Sequence, residues 1–386
     1  MDIQSFTLPF ERRSPYHPPA DYAELRRESP VVRTITASGE PAWVVIGADI
    51  AQQVLSDRRF GVAKPGVPTD KESLLCDGDA HARLRRVISR GFGARAMESL
   101  RPRVDEMADR FVVELFEAGP PADLVSKLAR PLTLAVITEM LGVPVDDRAR
   151  FYKWAEAVSV LIAETDAGYV ETWMELAGFL GELIVAKRAN PGDDLLSALV
   201  AVRDADDGTL NDRELLLAAA ALLSGGQLTT ANALSIGVVK LIQTGGLAGF
   251  AGGEGVAVAV EEMLRHQAGI SGEAFPRWAQ TDLELAGQCV AAGDMVIVRL
   301  EAANRDPARF PDPDRFDPGR APVPHLKFGH GPHRCIGAAV ARMELAAAIT
   351  ALANRVPELA MTCHPDEISW TDHPLDSGPA AVPVTW

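Results

Sequence analysis

The sequence predicts a mostly α-helical protein with a smaller β-rich part. Residues 94–200 are mainly amphipathic with helical periodicity, and clusters of Pro and Gly divide them into separate helices. A long apolar helix is predicted over about 212–243, because Asn211 can cap its start and two glycines follow its end. Short β-rich runs separated by turn residues, at 31–46 and at 283–300, predict hairpins.

The remaining elements are short. Along the first 75 residues the sequence predicts a helix from Asp21, paired strands at 31–35 and 42–46, a helix at 49–55 and a loop at 60–75. The C-terminal part is predicted to contain, in order, a helix at 254–266, a strand and turn at 270–276, the hairpin at 283–300, an irregular segment at 303–316, an apolar helix ended by Pro357, and short β segments around a turn at 377–379.

The composition limits the kinds of protein to consider. The chain has 386 residues, 47% of them hydrophobic, so it can bury a large core. Its net charge of −15 argues against nucleic acid as a partner. The four cysteines are widely spaced without a CxxC pair, which fits a reduced, cytoplasmic setting. Residues 1–13 have no hydrophobic stretch of signal or transmembrane length, so no membrane attachment is expected.

The chemistry is concentrated in one stretch near the C-terminal end, FGHGPHRCIG at 328–337. Cys335 lies just before an apolar helical run, and the positive end of a helix stabilises a thiolate. The glycines let the backbone approach a flat ligand closely, and His333 and Arg334 add positive charge. A thiolate on haem iron is one known arrangement of this kind. The alternative is a buried structural cysteine in a glycine-rich loop.

The pattern F-G-x-G-x-H-x-C-x-G resembles the haem-binding signature of the cytochrome P-450 family, and further motifs follow in the family's order over nearly the whole chain. The resemblance implies one soluble bacterial haem domain over 1–386. It would be mainly α and not a β-α-β arrangement, with haem b between a long central helix and the helix after the cysteine loop. Cys335 would be the metal ligand, and Phe328, His333 and Gly337 would line the cofactor.

Four basic residues are candidates for the haem propionates, and one of them is His333 in the cysteine loop. His81 and Arg85 are four apart, so they share one face of a predicted helix. Their segment resembles the family's H-x-R-L-R-R, whose His and second Arg contact a propionate. Arg277 begins a segment similar to another propionate-binding stretch. For His81, Arg85 and Arg277 the alternative is a solvated surface charge.

The middle of the long helix contains the candidate oxygen site. Gly225 and Gly226 are unfavourable inside a helix, which indicates either close packing or a distortion that makes room for a cofactor. With Thr229 they resemble the family's A-G-x-[DE]-T motif. Leu228 replaces the usual acid, and leucine has no exchangeable proton. Protons would then arrive through water, through Gln227 as an organiser, or from the substrate.

Three further residues resemble the family's structural triad. Glu262 and Arg265 form E-x-x-R, and Arg315 lies in a P-x-R-F pattern. The resemblance implies a buried network of the three side chains. Without it, Glu262 and Arg265 would be an ordinary i, i+3 surface pair.

Three functional hypotheses follow. The first is a monooxygenase that inserts oxygen from O2 into a small apolar or aromatic natural product. The second is an enzyme that couples or cyclises its substrate without net oxygen insertion, which Leu228 favours. The third is a non-enzymatic haem sensor, against which the retained Thr229 argues.

Electrons must come from elsewhere, since no Gly-rich dinucleotide motif follows a strand. NAD(P)H, a ferredoxin reductase and a ferredoxin are the expected source. An acidic ferredoxin would dock on basic residues around the haem, for which the candidates are Arg83, Arg85, Arg86, Lys327, Arg334 and Arg342. The resemblance implies a monomer. Substrate contacts are expected at 60–76, 147–187, 270–276 and 372–380.

Overall fold

The structure is a computed structural model that describes residues 6–12, 16–151, 154, 167–205, 210–267, 275–371 and 376–386. The described helices are α1 (Asp21–Glu28), α2 (Ala48–Ser56), α3 (Gly78–Ser89), α4 (Ala94–Glu117), α5 (Arg130–Leu141), α6 (Ala167–Ala189), α7 (Leu195–Asp204), α8 (Asp212–Gly226), α9 (Leu228–Gln243), α10 (Val256–His266), α11 (Leu300–Ala303) and α12 (Ala338–Arg355). The described strands are β1 (Phe6–Thr7), β2 (Val31–Ile35), β3 (Pro41–Val45), β4 (Phe60–Gly61), β5 (Ala122–Asp123), β6 (Arg277–Ala279), β7 (Leu283–Leu285), β8 (Gln288–Val290), β9 (Met295–Val298), β10 (Ala360–Met361) and β11 (Pro383–Thr385).

The chain divides into two compact units, and the first is built on a sheet. It comprises the described residues of 1–69, 258–335 and 374–377, and its six strands follow the order β1-β2-β3-β9-β6-β4. Successive side chains of β3 point to opposite faces. Trp43 and Val45 enter one apolar cluster, whereas Ala42 and Val44 enter another. Both faces of the sheet are therefore buried, which explains why β3 is apolar at consecutive positions.

The second unit is mainly helical and comprises the described residues of 70–257, 336–373 and 378–386. Helix α12 packs on α4 and α9, and α9 packs on α5. Asn211 and Glu214 form a reciprocal capping box that starts α8. A small sheet of order β10-β11-β5 completes the unit.

The mainly α fold class with a smaller β part is confirmed. The predicted hairpin is present as β2 and β3, in which Val31 pairs with Val45, and the predicted Asn211 cap is also present. The hairpin predicted over 283–300 is shorter: β7 and β8 form it, whereas β9 pairs with β3 and β6. Of the strand and turn predicted at 270–276, residues 270–274 lie outside the described residues, and residues 275 and 276 are not part of a strand.

Within the described residues, one helical stretch, Asp212–Gln243, is long and apolar enough to cross a membrane, and 56% of its most apolar window is buried inside the protein. Buried core helices have the same composition, so this hydropathy is weak support for a membrane span.

Candidate active site

The cysteine loop closes on itself through the backbone. The Cys335 N–H donates to the Phe328 carbonyl at 2.8 Å, and Gly331–His333 form a 3₁₀ turn between them. Helix α12 starts three residues after Cys335, with Gly337 as its N-cap. The Cys335 side chain is exposed. Because α12 starts only three residues later, Cys335 lies near the positive end of an 18-residue helix, and such a position stabilises a thiolate.

Two glycines of this loop have the left-handed backbone conformation, with φ of 68° at Gly329 and 70° at Gly331. A Cβ at Gly331 would overlap the Leu55 carbonyl oxygen, whereas a Cβ at Gly329 would meet nothing closer than 4.0 Å. The left-handed backbone thus favours glycine at both positions. At Gly331, glycine is also needed because the backbone at the end of α2 packs against it.

The long helix is interrupted at the predicted place. Helix α8 ends at Gly226, Gln227 has φ −87° and ψ −71°, and α9 starts at Leu228. The Thr229 hydroxyl donates to the Gly225 carbonyl at 2.9 Å across the break. The Gln227 side chain is buried. The two predicted glycines, Gln227 and Thr229 therefore form one local distortion of the second unit.

The candidate propionate residues occupy three places. His81 is buried and Arg85 half-buried, one turn apart on α3. Arg277 starts β6, is 8% exposed, and donates to the carbonyls of Phe275 at 3.1 Å and Pro276 at 3.3 Å. His333 is half-buried in the 3₁₀ turn of the cysteine loop.

The predicted triad needs a correction. Glu262 and Arg265 form a bidentate ion pair at 2.7 and 2.8 Å, and both side chains are 2% exposed. Arg315 does not join them: its side chain is 72% exposed and lies 3.8 Å from Asp317. Arg320 takes the third position, with its Nε 3.2 Å from Glu262 Oε1. The prediction that Arg315 of the P-x-R-F pattern joins the triad is therefore wrong. Instead, the backbone carbonyl of Arg315 accepts hydrogen bonds from Arg265 and Arg320.

Two proposed docking residues are not freely available to a partner, because one is buried and the other is paired. Lys327 is 9% exposed, and Arg83 forms a bidentate ion pair with Glu214. Glu214 lies in the first turn of α8, so its ion pair with Arg83 connects α3 to the start of the long helix.

Glu344 and Lys327 are among the ionisable residues whose burial sequence analysis missed. Glu344 in α12 is buried, and burial raises the pKa of its carboxyl well above the usual value. Burial also lowers the pKa of Lys327 to about 8. The available signal was a charged residue between apolar neighbours, as in Met343-Glu344-Leu345.

A cytochrome P450 family model matches residues 256–355, which include α10, the Glu262 cluster, the cysteine loop and α12. The cytochrome P450 monooxygenase PikC of Streptomyces venezuelae is 39% identical over 378 residues, covering 95% of this chain and 90% of the relative. The chain belongs to the cytochrome P450 family. A mycinamicin IV hydroxylase/epoxidase of Micromonospora griseorubida is also 39% identical, over 95% of this chain and 94% of its own length. The crystal structure of SgvP, a proposed thioether synthase of griseoviridin tailoring, superposes with a TM-score of 0.91 at 37% identity, covering 99% of this chain and all of SgvP.

The chain is accordingly a cytochrome P450 monooxygenase, an oxidoreductase that uses haem and O2. Its own residues fit that cofactor: an exposed thiol at a helix start, a loop whose glycines permit close backbone approach, and buried basic side chains at His81 and Arg277. When bound, haem would supply oxygen activation, which electron donation from a thiolate ligand would favour. The protein contributes binding, orientation and electrostatics.

Proposed function

We propose that this cytochrome P450 oxidises a small apolar or aromatic natural product, with Cys335 as the thiolate ligand of haem b. The observation that carries the proposal is the position of Cys335, exposed in a closed loop just ahead of α12. Relatives that act in natural-product biosynthesis, such as the mycinamicin IV hydroxylase/epoxidase, support a natural product as substrate.

Individual residues have separate roles in this proposal. Phe328 and Gly337 line the cofactor, and four basic residues bind its propionates: His81, Arg85, Arg277 and His333. Thr229 and Gln227 shape the oxygen side at the helix break, where Gly225 and Gly226 leave room. Since Leu228 cannot donate a proton, water ordered by the Thr229 hydroxyl and the Gln227 amide brings protons to this side.

Electrons reach the proposed site from NAD(P)H through a ferredoxin reductase and a ferredoxin. Arg86 and Arg334 are exposed and support docking of an acidic protein, each within its own unit. Reduction by a plant-type ferredoxin should slow as ionic strength rises, and more weakly so in Arg86→Glu and Arg334→Glu. We also propose a cytoplasmic monomer without membrane or nucleic-acid contacts.

Oxidative coupling without net oxygen insertion is the second candidate. It is favoured by Leu228, half-buried at the start of α9 where the family motif has an acid. The proposed thioether synthase activity of SgvP supports this alternative. A haem sensor without turnover is a third and weaker candidate.

The first experiment is the difference spectrum of the reduced, carbon monoxide-bound protein and of Cys335→Ser. A thiolate-type Soret band that the variant lacks would support Cys335 as ligand, and a band retained by the variant would refute it. Compounds that perturb the haem spectrum, chosen from a panel of apolar and aromatic natural products, are then turned over under ¹⁸O₂ with ferredoxin and reductase. Label in the product supports insertion, loss of hydrogen without label supports coupling, and no product from any spectral binder supports the sensor.

A further inference from the structure

Lys327 is held in place by the turn that begins the cysteine loop. The Leu326 N–H donates to Asn304 Oδ1 at 2.7 Å, and the Lys327 N–H donates to His325 Nδ1 at 3.2 Å. The next residue, Phe328, accepts the hydrogen bond from Cys335. The backbone of Lys327 is thus one residue away from a direct contact with Cys335.

The ammonium group of Lys327 is buried and has no hydrogen-bond partner among the described residues. A buried charge without a partner is unfavourable, and burial is the main reason why the pKa of Lys327 falls to about 8. The group still carries its proton for most of the time at neutral pH. Burying this ammonium costs free energy, and an apolar side chain would pack there without that cost. The charge itself is therefore expected to have a role.

Three negative groups of the first unit lie within Coulomb range of this ammonium and raise its pKa: Asp376, Glu301 and Cys335. Glu301 is already neutralised by a bidentate ion pair with Arg12 at 2.7 and 2.9 Å. Asp376 is completely buried. The Lys327 charge therefore acts on Asp376, where water does not screen it, and on Cys335.

We propose that Lys327 is a positioning residue whose buried ammonium stabilises the negative charge of the Cys335 thiolate and raises the reduction potential of the haem iron bound to it. The inference rests on the proposed ligation by Cys335. A nearby cation favours the reduced state because reduction adds a negative charge to the site. It also withdraws electron density from the thiolate, so the potential and the ligand-field spectrum should respond together.

The test is the midpoint potential of the holoprotein, measured by spectroelectrochemistry at pH 7. Lys327→Met keeps the length and removes the charge, Lys327→Arg keeps the charge, and Lys71→Met removes an exposed lysine as a control. We expect the equilibrium constant for reduction to fall by about tenfold in Lys327→Met, which corresponds to about 59 mV for one electron. Lys327→Arg and Lys71→Met should stay close to the wild type.

A second readout separates electrostatics from structure. Lys327→Met should keep the thiolate-type carbon monoxide band, because the hydrogen bonds that shape the cysteine loop come from backbone groups that the substitution leaves in place. An unchanged potential in Lys327→Met, or an equal shift in Lys327→Arg, would overturn the proposal. Failure of the ligation itself is recognised independently, since Cys335→Ser would then keep the thiolate-type band.

Discussion

Arg320 lies 3.2 Å from Glu262 across 58 residues of chain, and it is 15% exposed where Glu262 is 2% exposed. Glu262 also accepts a backbone N–H of Asp317 at 2.9 Å. The carboxylate therefore joins α10 to the irregular segment that precedes the cysteine loop. Its two cationic partners are Arg265 and Arg320, with Arg315 outside the cluster.

Removing Arg320 should destabilise the protein, and removing Arg315 should not. Arg320→Met leaves a buried carboxylate with one cation and frees three carbonyls that Arg320 now contacts, so the free energy of unfolding should fall by about 1–3 kcal/mol. Arg315→Met, the matched control, should change it by less than about 0.5 kcal/mol. Urea unfolding of both variants measures the difference, and equal losses would contradict the assignment.

Gly331 and Gly329 differ in what a side chain would meet, although both have positive φ. Gly329→Ala should cost only the left-handed conformation, about 1–2 kcal/mol. Gly331→Ala should add about 1–3 kcal/mol of overpacking, because its Cβ meets backbone that cannot rotate away. Thermal unfolding and haem retention on gel filtration would show the order. A larger loss at Gly329 would contradict it.

The sequence was sufficient to predict the features that depend on local patterns. Asn211 and the glycines after α9 gave the bounds of the long helix within a residue or two, because caps and left-handed glycines act locally. The interruption at Gln227 followed from two adjacent glycines in an apolar helix. The cysteine loop was recognised from ten consecutive residues.

Features that depend on distant pairing were not predictable in the same way. Nothing near Arg320 in the sequence distinguishes it from Arg315, and only the folded path of the chain brings it to Glu262. Strand β9 looks like half of a hairpin in sequence, but its partners β3 and β6 are set by the sheet. The burial of Lys327 likewise depends on packing around the turn that holds it.

An ion-pair network ties the segment at 70–72 to the start of α8. Arg213 pairs with Asp70 at 2.7 Å and with Glu72, and Asn211 Nδ2 donates to Glu72 at 2.8 Å. Arg213→Met should raise the rate of tryptic cleavage after Lys71 several-fold, because this exposed lysine lies between the two tethered carboxylates. High salt should have a similar effect on the wild type, since exposed pairs are screened.

Arg110→Met is the matched control for this network. It removes an exposed ion pair within α4, so the rate of cleavage after Lys71 should stay at the wild-type value. If Arg213→Met is cleaved there no faster than Arg110→Met, the ion pairs do not hold the segment at 70–72.

Glu344 should make the protein less stable as pH rises. Its pKa is raised by burial, so the folded protein keeps the proton while the unfolded chain releases it above pH of about 4.5. The unfolded state then binds fewer protons than the native state, and each pH unit in this window costs about 1.4 kcal/mol until the native pKa is reached. Glu344→Gln removes this term, and Glu358→Gln changes an exposed carboxylate as a control. Unfolding free energies between pH 5 and about 7.5 should therefore diverge in favour of Glu344→Gln as pH rises. Parallel curves for Glu344→Gln and the wild type would mean that Glu344 is ionised in the folded protein, and that a cation or bound water compensates it.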